Sequence, residues 1–298
     1  MSALENSRQP VDGLAASLML ACCMLWGFTH VVAKLTAASV SLVMQGGLRS
    51  AIAALLLWLW ARLCGEKLFA ADGSWWPGLG VGLLFAAEFR VLFAGLAHTG
   101  ASRMSVFLYL APCFTALGLH WTVPSERLRR VQALGVALAF SGVLLALLDG
   151  FLHARQSLFG DLCGVLAGAL WASTTVLIRA SRMSSIAPAK TLFYQVAISA
   201  LIMPPAAILM GEPGVTRVDM WVLASLLFQG GVVTFASYLT WFWLLSRYYA
   251  TRLSVFSFLT PMFGVLAGVT LLGEPISPTL GISVALVAAG IYLVNRRG

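Results

Sequence analysis

Apolar runs long enough to cross a bilayer alternate with short polar links along the whole chain. The runs fall near 14–34, 40–62, 75–98, 101–121, 128–148, 158–179, 189–210, 218–246, 250–272 and 276–294. A membrane-spanning helix needs roughly 20 mostly apolar residues. The links carry turn formers: Asp72-Gly73, Pro124-Ser125, Gly211-Glu212-Pro213 and Gly273-Glu274-Pro275. No link has room for a separate soluble domain. The pattern predicts an all-α polytopic membrane protein with ten transmembrane helices.

One stretch occurs twice. Residues 101–117 read ASRMSVFLYLAPCFTAL and residues 250–266 read ATRLSVFSFLTPMFGVL, identical at nine of seventeen positions at an offset of 149. Chance apolar similarity does not keep Arg103/Arg252, Ser105/Ser254, Pro112/Pro261 and Phe114/Phe263 in step, so the likeness reads as duplication. It extends further. Trp26 and Lys34 match Trp171 and Arg179 at offset 145, Val136 to Gly142 matches Val284 to Gly290, and Glu126 matches Glu274. Each half, 14–148 and 158–294, holds five spans. An odd number inverts the second copy relative to the first. Inverted repeats about an axis in the membrane plane are an architecture of secondary transporters, which bind near the midplane between the repeats.

Composition supports a bilayer setting. The chain is 60% hydrophobic and 10% charged, against about 25% charged in a soluble domain. Mean hydropathy is +0.90. The net charge of +8 does not point to nucleic acid, because the basic residues sit in links and not in a patch. They define orientation instead. With the N-terminus in the cytoplasm, thirteen Lys and Arg fall inside and four outside, with Arg49 and Arg90 within spans. The positive-inside rule then puts both termini in the cytoplasm. The five cysteines have no metal-ligand spacing and four lie in apolar runs. No cofactor or metal is expected, and no cleaved signal peptide.

These residues carry a resemblance. Trp26-Gly27, Arg49, Ala101-Ser102-Arg103, Pro112 and Glu126-Arg127-Leu128 resemble an EamA domain, and Ala250-Thr251-Arg252, Pro261 and Gly273-Glu274-Pro275 repeat it. The chain is thereby similar to EamA-type members of the drug/metabolite transporter superfamily, most of all the YddG-type exporters. The resemblance implies a multi-pass inner-membrane exporter of aromatic and other neutral amino acids. Other small metabolites or drugs are the alternative cargo. Proton coupling is open.

Residues kept in both halves read as scaffold; polar residues in one half only need another reason. Glu88 is the acid deepest inside a span, and its counterpart is Ser237. A charge at that depth faces a cavity or a partner. It either lines the substrate path or pairs with a basic residue. Arg90, two residues on, does not share its face, so Arg49 is the better partner. Arg49 either binds a carboxylate or holds helices together. Trp26, Trp171 and Trp241 lie deep enough to line a cavity. Phe107, Tyr109 and Phe256 flank Pro112 and Pro261, which are expected to kink spans four and nine. An intramembrane enzyme is the distant alternative. It needs a nucleophile with a base, paired acids or histidine ligands, whereas His30, His98, His120 and His153 lie in separate segments.

Overall fold

The structure is a computed structural model that describes residues 11–123, 127–153, 157–248, 253 and 256–295 of the 298. The duplicated Glu126, Arg252 and Ser254, the flanking Ala250 and Thr251, and the turn formers Pro124-Ser125 lie outside these residues. Among the described residues twelve α-helices make up the ten spans. The first three are α1 (Gly13–Thr36), α2 (Leu42–Cys64) and α3 (Trp75–Leu96). Span four is split into α4 (Ala101–Leu108) and α5 (Ala111–Thr122). Next come α6 (Arg130–His153), α7 (Leu158–Ala180) and α8 (Pro188–Leu209). Span eight is α9 (Met220–Leu227), a π-helical segment (Phe228–Ser237) and α10 (Tyr238–Arg247). Span nine is a 3₁₀ turn (Phe256–Phe258) leading into α11 (Leu259–Leu272), and span ten is α12 (Pro278–Asn295). Eight spans meet the length and hydropathy of a membrane crossing, and two shorter apolar helices complete the set.

Packing follows the duplication. α8 lies along α2, α12 along α6 and α11 against α4, so each of these helices pairs with its own copy. Exchanging the halves maps α3–α7 onto span eight against α1, and α1–α11 onto α4 and α5 against α7; all these contacts are present. The fold is therefore two inverted five-helix repeats. Its outer surface is apolar, with Leu63, Leu209 and Trp121 among the most exposed side chains, as hydrocarbon contact requires.

Two breaks in the spans have local causes. Pro112 enters the first turn of α5, where its missing N–H costs nothing, and the chain turns at Tyr109-Leu110 just before it. Pro261 likewise stands in the first turn of α11, after the 3₁₀ turn. Small residues let two helices of the second repeat, α7 and α11, approach α4 closely. An added Cβ at Gly164 would meet Phe107 at 2.8 Å, and one at Gly264 would strike the Ser105 side chain. Both belong to the small-residue patterns Gly164-x-x-x-Gly168 and Gly264-x-x-x-Gly268.

Polar bonds concentrate at the two ends of the bundle. At one end Arg103 donates to Asp149 (3.0 Å), Asp161 (2.6 Å) and the Ala146 carbonyl (2.7 Å). Ser277 and Thr99 donate to the same two aspartates. Beside them the amides of Ala101 and Ser102 donate to the Glu274 carboxylate at 2.6 and 2.9 Å. Lys34 stands 3.5 Å from it. This lattice joins both repeats. At the opposite end Lys190 pairs with Asp72 at 2.7 Å, and Tyr248 donates to Asp12 at 2.9 Å.

Candidate functional site

Between the two ends lies a buried group of polar side chains where the repeats meet. Arg49 is 2% exposed and Glu88 3%. α2 carries Arg49 on the face toward α3, and its guanidinium lies 4.0 Å above the Phe89 ring and 5.4 Å from that of Phe93. No ion pair within 4.0 Å joins Arg49 to an acid among the described residues. Its Nε and Nη2, the Oε2 of Glu88 and the Oγ1 of Thr260 are buried without a hydrogen-bond partner. Buried unpartnered charges are costly, so their survival here marks a place built for something else.

Arg49 and Glu88 act on each other electrostatically, and both act on Tyr238, the first residue of α10. Tyr109, at the break between α4 and α5, lies within electrostatic reach of Glu88 and Tyr238. Aromatic rings surround this group. Tyr109 meets Trp171 edge to face at 5.5 Å. Trp26 meets Tyr238 at 6.2 Å and Trp241 at 6.1 Å, also edge to face. Each of these pairs joins one repeat to the other. The Trp26 indole N–H donates to Ser237 Oγ at 2.8 Å, which fixes its orientation.

The π-helical segment sets where Ser237 and Tyr238 point. It widens span eight up to Ser237 and just before Tyr238, whereas the matching part of α3 is a regular α-helix. Gly230 lets it rest on α2: an added Cβ would meet the Arg49 carbonyl at 2.8 Å. Gln229 donates from this segment to Gln45 at 3.0 Å. Such departures from α-geometry recur at functional sites.

The structure thus brings together Trp26, Arg49, Glu88, Tyr109, Trp171, Ser237 and Trp241. Phe107 lies elsewhere, fully buried beside Gly164 with the Arg103 guanidinium 5.7 Å from its ring. Phe256 packs with Trp241 in a smaller cluster that includes Met19 and Tyr248. Arg90 faces outward and is exposed, on the opposite side of α3 from Glu88. Tyr238, His30 and Thr260 were not singled out from the sequence. For Tyr238 a signal existed: it adjoins Ser237 and stands where α3 has Phe89.

The EamA-like transporter family matches residues 13–148 and 158–296. The chain belongs to the EamA-like transporter family. It is 28% identical over 293 residues to a probable amino-acid metabolite efflux pump of Salmonella typhimurium, covering 95% of this chain and 94% of that one. It is 26% identical to the protein of the same description in Escherichia coli, covering 95% and 94%. An uncharacterized transporter of Archaeoglobus fulgidus is 27% identical, covering 94% and 97%. A crystal structure at 20% identity superposes with a TM-score of 0.66, covering 94% of this chain and 96% of the other, which shows a shared fold. As an EamA-like transporter the protein has a membrane setting and a small-molecule cargo, and this membership speaks for transport rather than catalysis.

Proposed function

We propose that this EamA-like transporter exports small zwitterions, aromatic and other neutral amino acids, across the inner membrane by alternating access. One observation carries the reading. A buried basic and a buried acidic side chain act on each other at the repeat interface, yet Arg49 and Glu88 leave polar atoms without hydrogen bonds. An amino acid supplies both complements. Its carboxylate fits the guanidinium fork of Arg49, its ammonium fits Glu88, and an apolar side chain fits the rings of Trp26, Tyr109, Trp171, Tyr238 and Trp241.

The repeats 14–148 and 158–294 rock about this group. The excess of Lys and Arg assigns the ends: Asp12 and Asp72 face the cytoplasm, and Glu274 faces outward. The polar lattice around Arg103 and Glu274 then closes the outer end in this conformation. The names of the Salmonella and Escherichia relatives support an efflux role.

The test is transport by purified protein in liposomes. Labelled phenylalanine, threonine or methionine equilibrates faster than in empty liposomes, and excess unlabelled substrate competes. Failure of the whole panel overturns the amino-acid reading and redirects the search to other small metabolites or drugs.

A further inference from the structure

Gln45 precedes Arg49 by one turn of α2. Residues so spaced on a helix are neighbours, about 5–6 Å apart at Cβ. Both stand where the π-helical segment of span eight rests on α2. Gln229 of that segment donates to Gln45, and an added Cβ on the next residue, Gly230, would meet the Arg49 carbonyl at 2.8 Å. Gln45 and Gln229 are both fully buried.

The hydrogen bonds fix which way each amide points. Gln45 Nε2 donates to the Ala33 carbonyl at 3.0 Å and to the Val40 carbonyl at 2.8 Å. Only the amide nitrogen can serve two carbonyls, so Gln45 turns its Oε1 toward Gln229. Gln229 answers with its own nitrogen, 3.0 Å from Gln45 Oε1 and 3.1 Å from Ser225 Oγ. Thr36 donates to the Val32 carbonyl at 2.9 Å, so the Ser225 hydroxyl spends its hydrogen on Thr36, 2.6 Å away. Ser225 therefore accepts from Gln229, and both amide hydrogens of Gln229 are committed. Turning that amide over would set oxygen against oxygen at Gln45. Its Oε1 is left buried and without a partner among the described residues. The backbone is held as well: Thr234 donates to the Gln229 carbonyl at 2.8 Å, five residues back.

Duplication does not account for this oxygen. At the offset that pairs Ser237 with Glu88, the counterpart of Gln229 is Gly80, which has no side chain. By the standard that the repeats set, Gln229 is not scaffold. A buried carbonyl oxygen without a donor is costly. Here bonds from spans one, two and eight hold it in place beside Arg49.

We infer that Gln229 Oε1 is a second acceptor for the ammonium group of the substrate. This role rests on the reading that Arg49 and Glu88 bind an amino acid. An ammonium carries three N–H donors. Glu88 meets the ammonium from α3, and Gln229 meets it from span eight, so the group is held from both repeats. Because the amide is uncharged, it adds an acceptor without adding a second negative charge. One basic and one acidic side chain then still match the two charges of a zwitterion. The pair of acceptors selects amines that keep at least two N–H groups, and disfavours acids that lack an ammonium.

The test is a set of binding isotherms on the purified transporter with phenylalanine and with 3-phenylpropionate, which has no ammonium. In Gln229→Met the affinity for phenylalanine should fall about tenfold or more, the loss expected for a hydrogen bond to a charged group. The affinity for 3-phenylpropionate should not change. Equal loss of both ligands, or no loss, in the folded variant overturns the role of Gln229 and leaves the Arg49–Glu88 site standing. If Gln229→Met does not fold, the wild type decides. N,N-dimethylphenylalanine keeps the charge but has one N–H, so it cannot serve both acceptors and should bind about tenfold more weakly than phenylalanine. Equal affinity for the two overturns the second acceptor. A wild type that binds no phenylalanine overturns both readings.

Discussion

The guanidinium of Arg49 lies 4.0 Å above the centre of the Phe89 ring, and Phe89 follows Glu88 on α3. The aromatic face satisfies part of the cation's field while leaving guanidinium donors unspent. A cation–π contact of this desolvated kind is worth about 2 kcal/mol. It holds Arg49 in place without consuming the donors that a carboxylate needs.

A first prediction follows for Arg49→Lys. The ammonium keeps the charge but loses the planar fork that grips a carboxylate at two points. The apparent affinity for phenylalanine should fall about tenfold, a loss of ~1.4 kcal/mol. Concentration-dependent uptake into liposomes measures it. A wild-type affinity in the folded variant would return Arg49 to a structural role.

Glu88→Gln separates the two ends of the substrate. It preserves volume and removes the charge that an ammonium seeks. Phenylalanine uptake should drop at least about tenfold, as expected when a charge-assisted bond worth roughly 1.5–3 kcal/mol is lost. Competition by 3-phenylpropionate, which has no ammonium, should be unchanged. Equal loss of both ligands would mean that the substitution disturbs packing and not recognition.

The legible part of this molecule is what repetition and charge announce. Ten spans, their division into inverted halves, and the depth of Glu88 and Arg49 all follow from runs of apolar residues and exceptions within them. The expectation that Arg90 and Glu88 do not share a face also matches the structure, where Arg90 is exposed and Glu88 buried. What escaped the sequence is contact across the fold. Arg103 meets Asp161 over a separation of 58 residues, and Ala101 meets Glu274 over 173. Nothing local joins them, because bundle packing decides which span ends become neighbours. The π-helical segment escaped for a related reason: its hydropathy is that of any span, and only its fit to α2 distinguishes it.

Glu274 gives a prediction with a pH sign. Burial opposes its charge, but the amides of Ser102 and Ala101 and the Lys34 ammonium outweigh burial, and its pKa lies below the ordinary 4.5. A carboxyl lowered in the closed state stabilises that state fully above about pH 4.5, and the contribution fades as pH falls through the lowered value. Glu274→Gln should therefore loosen the α4 end at neutral pH. Losing a cap of ~1 kcal/mol corresponds to about fivefold faster hydrogen exchange in the first turn of α4. Wild-type protein should show the same acceleration only under acid conditions. Unchanged exchange in the variant would remove Glu274 from the closure.

The last prediction contrasts two neighbouring glycines. At Gly230 an added Cβ would lie 2.7 Å from Ile52 Cβ and 2.8 Å from the Arg49 carbonyl, distances that real Cβ atoms do not adopt. At Gly231 the nearest atom is Leu56 Cδ1 at 3.5 Å, an ordinary contact. Gly230→Ala must push the π-helical segment off α2 and shift the backbone that carries Arg49. Overpacking of this kind costs about 1–3 kcal/mol. The variant should melt lower and bind phenylalanine more weakly. Gly231→Ala meets no such obstacle, and alanine in place of a helical glycine is favoured by up to about 1 kcal/mol. Its melting temperature and transport should match or exceed wild type. If both variants behave alike, the close approach of Gly230 to Arg49 does not set the geometry of the site.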